Sequence, residues 1–535
     1  MTLEQTLNTL AAQKIMERMW AGDHTVWKPD PAEISNRLGW LTISDRMQAD
    51  IPRMEEFTAG LQKDGYTQAL LLGMGGSSLA PEVFRKTFGV KPGYLDVEVL
   101  DSTDPGAVLS FAKTLDPKKT VYIVSTKSGG TIETFSFMYY FYNRLLEGMS
   151  AEDAGQHFIA ITDPHSKLEE VARQHQFREV FLNDPNIGGR YSALSYFGLL
   201  PAALLGVDLR KLLANAHSSM QACGPQVEAS ANPAARLGAA MSDMALSGRD
   251  KLTFVISPSM RSFGDWLEQL IAESTGKEGR GILPVVGEEL LEADCYSADR
   301  AFVHIELEPE VFQSARLAQL ESAGYPVLRV KINERYDLGG QFFLWEMATA
   351  VAGWRLGINP FDQPNVESAK VLARELVAAF KQDGRLPESS TEPPSAAKLK
   401  EFLADCQAGI SYVALQAYLK PCLEMDLALQ SLRSFIQKQT KAATTVGYGP
   451  RFLHSTGQLH KGDGGRGLFI QFSDEPGEDA LIPDEMGKPG GELTFGTLIK
   501  AQALGDARAL SNNGRKVMRI DLGKDALGGI KKLLD

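Results

Sequence analysis

The chain has 535 residues, of which 44% are hydrophobic, and this length predicts two to four globular domains rather than one core. A formal net charge of -12, with no basic stripe, excludes a protein that binds nucleic acid through charge alone, so an anionic ligand would need a local site. No stretch approaches the length of a membrane span, the N-terminus lacks the apolar core of a signal peptide, and the four cysteines lack metal-ligand spacing. These features predict a cytoplasmic protein with reduced thiols, without a metal site and without a membrane or nucleic-acid partner.

Short apolar runs alternate with helical patterns from about Thr67 onward. The runs are QALLLG, DVEVLD, TVYIVST, HFIAITD and REVFLND, and a helix-length segment separates each from the next. This alternation is typical of parallel β-α-β units, which bind ligands at the carboxyl ends of their strands. An Ala- and Leu-rich helical stretch from Leu200 to about Gly248 ends this first half.

A second series of strands begins at LTFVIS and continues with GILPVVG, AFVHIELE and YPVLRVKI before the apolar helix QFFLWEMATAVAGW. The stretch PESSTEPPS, Pro387 to Ser395, is typical of a linker because of its Pro and Ser content. The last segment mixes helices with the strand candidates ATTVGYG and GLFIQF. We therefore predict an α/β protein with two doubly wound parallel sheets, in residues 1–248 and 249–386, a linker at 387–395 and a smaller C-terminal α/β unit at 396–535.

The stretch STKSGGTIET, Ser125 to Thr134, leaves a predicted strand and opens a predicted helix. Such a loop presents unpaired backbone N–H groups and the positive end of the helix dipole, which together favour a phosphate. The two glycines let the backbone approach a ligand, the hydroxyls of Thr126, Ser128 and Thr131 can donate, and Lys127 adds a positive charge. The alternative is a hydroxyl-rich helix cap followed by a solvated lysine.

Two further glycine-containing loops accompany it. LLLGMGGSSLAP repeats the pattern of strand, turn and helix, and places Gly76 and Ser77 at the same predicted sheet edge. In NIGGRYSALS, Gly189 precedes Arg190, whose guanidinium could stabilise a developing oxyanion. A surface arginine that caps the next helix is the alternative.

Two stretches later in the chain carry candidate acid–base groups. In WLEQLIAESTGKEGRG, Glu273 lies where a predicted helix ends, and the negative end of that helix makes a carboxylate a stronger base. In INPFDQPNVESAK, Pro364 opens a predicted helix on which Gln363 and Lys370 lie two turns apart and could face one pocket. An exposed helix-terminal glutamate and a solvated lysine are the alternatives.

Five stretches in this order, GMGGSSLAP, STKSGGTIET, IGGRYS, AESTGK and NPFDQPNVESAK, resemble the glucose-6-phosphate isomerase family over most of residues 69–370. The N-terminal RMWAGDHTVWKPDPAEISNRLGW and the tail GYGPRFLHSTGQLHKG resemble the isomerase half of bacterial transaldolase–isomerase fusion proteins. The resemblance implies two sugar-isomerase (SIS) subdomains, a homodimer and an active site at the dimer interface. It also implies a role for each matched residue: Thr126, Lys127, Ser128 and Thr131 bind the phosphate, Gly76 and Ser77 the sugar, Gly189 and Arg190 the enediolate, Glu273 moves the proton, and Gln363 and Lys370 lie near the substrate.

The sequence departs from the family pattern at the histidine that opens the sugar ring. That histidine precedes an Ala-Phe pair in the family, whereas DRAFVH has Arg300 in this place and His304 four residues later. His304 lies within an apolar strand pattern, which is typical of a core histidine, while His454 and His460 lie in a glycine-flanked loop of the tail. We expect His454, with Lys370, to open the ring.

The resulting hypothesis is an aldose–ketose isomerase that interconverts glucose 6-phosphate and fructose 6-phosphate through a cis-enediol, as a step of glycolysis and gluconeogenesis, with neither cofactor nor metal. One alternative is an isomerase that also accepts mannose 6-phosphate. Another is a non-catalytic regulator that binds a phosphosugar, although the glutamate of AESTGK argues against it.

Overall fold

The computed structural model describes residues 2–387 and 390–535, and within them three parallel β-sheets are flanked by helices. Four helices precede the first sheet: α1 Leu3–Ala12, α2 Ile15–Trp20, α3 Ile43–Gln48 and α4 Ile51–Lys63. No helix of the described part is long and apolar enough to cross a bilayer.

The first sheet has the strand order β2-β1-β3-β4-β5, with all strands parallel. Its strands are β1 Gln68–Gly73, β2 Asp96–Leu100, β3 Thr120–Ser125, β4 Phe158–Thr162 and β5 Glu179–Leu182. The connecting helices are α5 Leu79–Phe88, α6 Pro105–Thr114, α7 Ile132–Leu145, α8 Ala151–Gln156 and α9 Lys167–Gln174, followed by α10 Tyr196–Leu205, α11 Leu209–Ala222 and α12 Pro233–Leu246. Helices cover both faces, so β3 and β4 are buried at every residue, and apart from hydroxyl residues at their ends they are apolar rather than alternating.

The second sheet has the order β7-β6-β8-β9. Its strands are β6 Lys251–Ile256, β7 Leu283–Val286, β8 Arg300–Leu307 and β9 Val327–Ile332, and its helices are α13 Phe263–Thr275, α14 Ser314–Ser322, α15 Leu338–Leu356 and α16 Val366–Asp383. Helix α15 is almost entirely buried, and its Trp345 and Phe342 belong to a core that also contains residues of both sheets and of the N-terminal helices. One apolar core therefore joins the first two sheets.

The third sheet has the order β11-β10-β12-β13, so in all three sheets the first strand lies between the second and the third. Its strands are β10 Tyr412–Tyr418, β11 Ala443–Tyr448, β12 Gly467–Ser473 and β13 Lys516–Asp521, and its helices are α17 Ala396–Leu403, α18 Leu423–Thr440, α19 Gly457–Gly462, α20 Phe495–Asn512 and α21 Ala526–Lys531. The predicted fold class, with two doubly wound sheets and a smaller C-terminal α/β unit, is confirmed.

Part of the predicted linker is paired with this third unit. Its Glu388 and Ser389 lie outside the described residues, but Glu392 forms a parallel bridge with Ile520, and its N–H donates to Arg519 O at 2.8 Å. A Pro-rich segment can still supply an isolated edge pair where a non-proline residue has its N–H free.

The third unit packs on the first two through apolar and ionic contacts. Phe495 of α20 stacks on Phe137 of α7 with ring centroids 5.9 Å apart. Arg300, in the place of the family histidine, is fully buried and bonds Glu288 through two N–H groups at 2.7 and 2.8 Å, while Glu288 also accepts from Thr444 of β11. Arg300 is therefore part of the packing between units and does not line the cavity described next.

Candidate active site

All the predicted site residues line one cavity of about 380 Å³ at the carboxyl end of the first sheet. They are Gly76, Ser77, Thr126, Lys127, Ser128, Thr131, Gly189, Arg190, Glu273, Gln363, Lys370 and His454. Residues 200 or more positions apart in the chain thus meet in a space large enough for a phosphosugar.

The loop Thr126–Thr131 connects β3 to the 14-residue helix α7. Gly129 has φ +63°, and a Cβ there would lie 2.8 Å from the backbone N of Leu168, so only glycine fits this turn against α9. The Thr126 and Thr131 hydroxyls are 3.0 Å apart, and Thr131, at the N-cap position, makes no side-chain capping bond. The first N–H groups of α7 and these hydroxyls are therefore directed at a common site suited to an anion.

Lys127 lines the cavity, but its ammonium has a carboxylate partner. It forms an ion pair with Asp163 and donates to Pro185 O at 2.9 Å. Burial raises the pKa of Asp163, and the charge of Lys127 opposes this shift. Sequence reasoning missed Asp163, which follows strand β4 and lines the same cavity, and it missed Arg37 at the cavity edge.

The loop that contains Gly76 and the loop that contains Gly189 touch through their backbones. A Cβ on Gly76 would lie 2.0 Å from Gly189 O, so any side chain at residue 76 would force the loops apart. Ser125, which precedes the Thr126–Thr131 loop, donates to Ser77 O at 3.2 Å and joins that loop to the loop of Gly76. The glycine at position 76 therefore lets Arg190 approach the sheet edge.

The Arg190 guanidinium is 2% exposed and has partners on several sides. It donates to Ser274 Oγ at 2.8 Å, to Pro360 O at 2.7 Å and to Gln363 Oε1 at 3.0 Å, among others, and its Nη1 lies 3.1 Å from Glu273 Oε1. These contacts fix a positive charge beside the Glu273 carboxylate before any ligand arrives.

Glu273 lies in the last turn of α13, and Gln269, one turn earlier, holds its second oxygen. The Gln269 side-chain N–H group donates to Glu273 Oε2 at 3.1 Å and to His454 O at 2.7 Å. One amide therefore connects the candidate base to the backbone of the candidate ring-opening residue. Gln269 was not predicted, although its i, i+4 spacing from Glu273 indicates this pair in the sequence.

Gln363 and Lys370 both line the cavity, but Gln363 lies in a loop and Lys370 on helix α16. Helix α16 begins at Val366, two residues after Pro364, so Gln363 lies in the preceding loop and not on the helix as predicted. Arg190 and Lys277 both donate to Asp362 O, and these cations hold the loop in place. Burial, with repulsion by Arg190, lowers the pKa of Lys277 to about 8.

His454 ends a short 3-10 turn, Arg451–His454, that follows β11 of the third unit. Its Nε2 lies 3.2 Å from Oε1 of the buried Glu133, which also accepts from Gln502 Nε2 at 2.8 Å. Burial disfavours the charge of Glu133, but the hydrogen bond and charge of His454 outweigh burial and lower the pKa of Glu133. Glu133 is part of STKSGGTIET but lies on the helix after the loop, and its partner His454 is 321 residues away in the chain, so the sequence pattern did not indicate it.

The other two histidines considered do not line the cavity. His304 is buried in β8, where its Nε2 is 2.9 Å from Phe312 O. His460 packs on Phe469 with ring centroids 5.0 Å apart, and burial lowers its pKa well below the ordinary value. Of the three, only His454 lies beside the predicted site residues.

Comparisons with known proteins place this site in a family. Residues 43–280 match the family model described as Phosphoglucose isomerase. The glucose-6-phosphate isomerase of Carboxydothermus hydrogenoformans is 30% identical over 393 residues, which are 62% of this chain and 83% of that protein. That of Thermosynechococcus vestitus is 32% identical over 371 residues, or 61% of this chain and 69% of the relative.

A solved structure supports the fold. The glucose-6-phosphate isomerase from Chlamydia trachomatis superposes with a TM-score of 0.58 at 17% identity, covering 75% of this chain and 89% of its own. At 17% identity this similarity supports the fold alone, and the family is shown by the relatives in sequence. The chain therefore belongs to the phosphoglucose isomerase family.

Proposed function

We propose that this chain interconverts glucose 6-phosphate and fructose 6-phosphate through a cis-enediol in the cavity between the Thr126–Thr131 loop and Glu273. One observation carries the proposal: a hydroxyl-rich loop at a helix N-terminus, a carboxylate beside a fixed arginine, and His454, which is paired with Glu133, line the same cavity or contact a residue that does. A phosphosugar-binding regulator would need the first of these but neither of the others.

The phosphate binds at the amino end of α7, where N–H groups and the hydroxyls of Thr126, Ser128 and Thr131 surround it. This contact is remote from the reacting carbons, and its binding energy orients them between Arg190 and Glu273.

His454 and Lys370 open the ring. The Glu133 carboxylate accepts the Nε2–H of the imidazole, which leaves Nδ1 to exchange a proton with the sugar and stabilises the imidazolium that forms. Lys370 lines the same part of the cavity and supplies the second proton-transfer group.

Glu273 then transfers a proton between C1 and C2. It removes the proton from C2 of the open aldose, the enediol forms, and the same carboxylate returns the proton to C1. The positive charge of Arg190, 3.1 Å from the Glu273 carboxylate, stabilises the negative charge that develops on the enediolate oxygens.

One test measures fructose 6-phosphate formation from glucose 6-phosphate by the purified chain. Another measures the isomerisation rates of two ketoses by the wild type and by His454→Ala. Fructose 6-phosphate is cyclic, whereas 5-deoxyfructose 6-phosphate lacks the hydroxyl that closes its ring. We expect His454→Ala to slow the first by at least about 10²-fold and the second by less than about threefold. A wild-type chain without isomerase activity would refute the function, and equal losses on both ketoses would refute the role of His454.

The chain is also proposed to act as a cytoplasmic homodimer in glycolysis and gluconeogenesis. Four free cysteines, one of them exposed, support a reducing compartment. The dimer rests on the family resemblance, and sedimentation of the purified chain tests it.

A further inference from the structure

A partly buried cluster of charges, in which the side chain of Asp265 is 44% exposed, lies directly beside the segment that carries His454. Arg451, three residues before His454, is 24% exposed at its side chain and points between the three units. Its guanidinium forms an ion pair with Glu82 and lies 3.5 Å from Asp101 and 3.7 Å from Asp265. Glu82 is on α5 and Asp101 follows β2 in the first unit, while Asp265 is on α13 in the second.

These carboxylates depend on Arg451 for their neutralisation. Lys86 lies 2.6 Å from Glu82 and is the other cation paired with this group among the described residues. Burial disfavours the charge of Glu82, but Arg451 and Lys86 outweigh burial and lower its pKa. Removing Arg451 would leave three carboxylates with Lys86, which pairs with Glu82, and the more distant Arg261, so the C-terminal segment would lose its ionic attachment at this point.

The residues that follow Arg451 continue the attachment on α13. Ser455 donates to Glu268 Oε1 at 3.2 Å, and Gln269 donates to His454 O at 2.7 Å. His454 therefore lies between two anchors, Arg451 before it and Ser455 after it. Both reach the helix that carries Glu273.

We propose that Arg451 is a positioning residue, which sets the place of the His454 imidazole relative to Glu133 and to the sugar by holding the segment 451–455 in the Glu82–Asp101–Asp265 cluster. The inference rests on the proposed function, since it assigns ring opening to His454. Arg451 does not touch the substrate cavity, and its effect passes through the backbone of three residues.

A positioning role predicts a selective kinetic loss. Arg451→Lys keeps the charge but not the planar fork that reaches several carboxylates at once, so the segment should shift rather than detach. We expect kcat for fructose 6-phosphate to fall about tenfold, because small misplacements of catalytic groups have effects of this size. KM should stay within about twofold, and turnover of 5-deoxyfructose 6-phosphate should change little.

The matched control is Arg466→Lys, which alters another ion pair between the third unit and the second. In this pair Arg466 Nη1 lies 3.2 Å from Asp250 Oδ2, away from His454. It should leave both rates unchanged. Glu82→Gln provides a second disturbance of the same cluster, and thermal unfolding of each variant checks that it is folded.

Each outcome decides between the alternatives. A loss confined to the cyclic ketose in both cluster variants supports the positioning role. Equal losses on both ketoses, or full activity on both, would overturn it. A loss in Arg466→Lys equal to that in Arg451→Lys would also overturn it, because Arg451 would then only help the third unit to pack on the other two. An inactive wild-type chain would refute the proposed function instead.

Discussion

At the scale of single residues, the part of the cavity to which we assign the phosphate group contains a carboxylate, Asp163, whose negative charge would repel that group. Asp163 pairs with Lys127 and lines the cavity that we assign to a phosphosugar. A phosphate dianion must therefore bind near a negative charge and compete for the lysine.

Asp163→Asn removes that charge and frees Lys127. We predict that KM for glucose 6-phosphate falls by about three- to tenfold, which corresponds to about 0.7 to 1.4 kcal/mol and is at the lower end of what a hydrogen bond to a charged group contributes. Steady-state kinetics at low ionic strength measures the effect. Asp184→Asn, which removes an equal charge outside the cavity, is the control, and a rise in KM for Asp163→Asn alone would show that the carboxylate instead orients Lys127 productively.

Residue types in the sequence were enough to predict which loops line the cavity, but not which side chains pair with one another there. Glycines, hydroxyls and cations that follow strands indicated Gly76, Thr131 and Arg190, because parallel strands place their carboxyl ends at one edge. Glu133, Gln269 and Asp163 were missed, since their chemistry depends on partners up to hundreds of residues away.

At the scale of elements, helix α13 brings two acidic groups together on one side. Asp265 and Glu268 are three residues apart, a spacing that places side chains near each other on a helix. Burial and the charge of Asp265 raise the pKa of Glu268 from 4.5 to about 7, against the hydrogen bond of Ser455 and the charges of Arg451 and Arg433.

This shift predicts a pH-dependent gain in stability for Glu268→Gln. The folded chain binds the Glu268 proton more tightly than the unfolded chain. The free energy of unfolding therefore falls as the pH rises from 4.5 to 7, and above pH 7 the ionised Glu268 destabilises the fold to its full extent. The variant should be more stable than wild type at pH 8, by on the order of 1 to 3 kcal/mol, and should show no gain at pH 4.5. Urea unfolding at both pH values measures this, and a gain of equal size at both would contradict the assigned cause.

The element boundaries show where sequence patterns reach their limit. The strands of the first two sheets were predicted because each contains a short run rich in aliphatic and β-branched residues, and the central ones, such as β3 and β6, are buried at every residue. Strands β10 and β13 of the third unit were not, because YVALQAY includes a buried glutamine and KVMRID alternates like a surface strand. A helix from Val366 to about Lys381 was predicted and is confirmed, but Gln363 was wrongly placed on its first turns because Pro364 was taken to open it.

At the scale of the whole molecule, the third unit supplies His454 to a cavity built by the first two. The family resemblance led us to expect an active site at a dimer interface, and here the candidate ring-opening residue comes from the same chain. The packing between units therefore has a direct consequence for the chemistry.

The buried pair Arg300–Glu288 tests that packing. Both side chains are 0% exposed, and Glu288 also accepts from the backbone N–H and hydroxyl of Thr444 at 3.1 and 2.9 Å. Glu288→Ala should destabilise the chain by about 3 to 5 kcal/mol, because it leaves a buried guanidinium without its counter-charge. Thermal unfolding measures the loss, and an unchanged midpoint would show that water or a neighbouring group replaces the carboxylate.

The central claim is that Glu273 moves a proton between C1 and C2 of a phosphorylated sugar. The most direct measurement follows the C2 proton of glucose 6-phosphate by NMR in deuterated water, together with fructose 6-phosphate formation, for the wild-type chain and Glu273→Gln. We predict that the wild type forms fructose 6-phosphate and exchanges the C2 proton, while the variant still binds the sugar but is slower in both by at least about 10²-fold. Exchange at the wild-type rate in Glu273→Gln, or no exchange and no product with the wild type, would contradict the account.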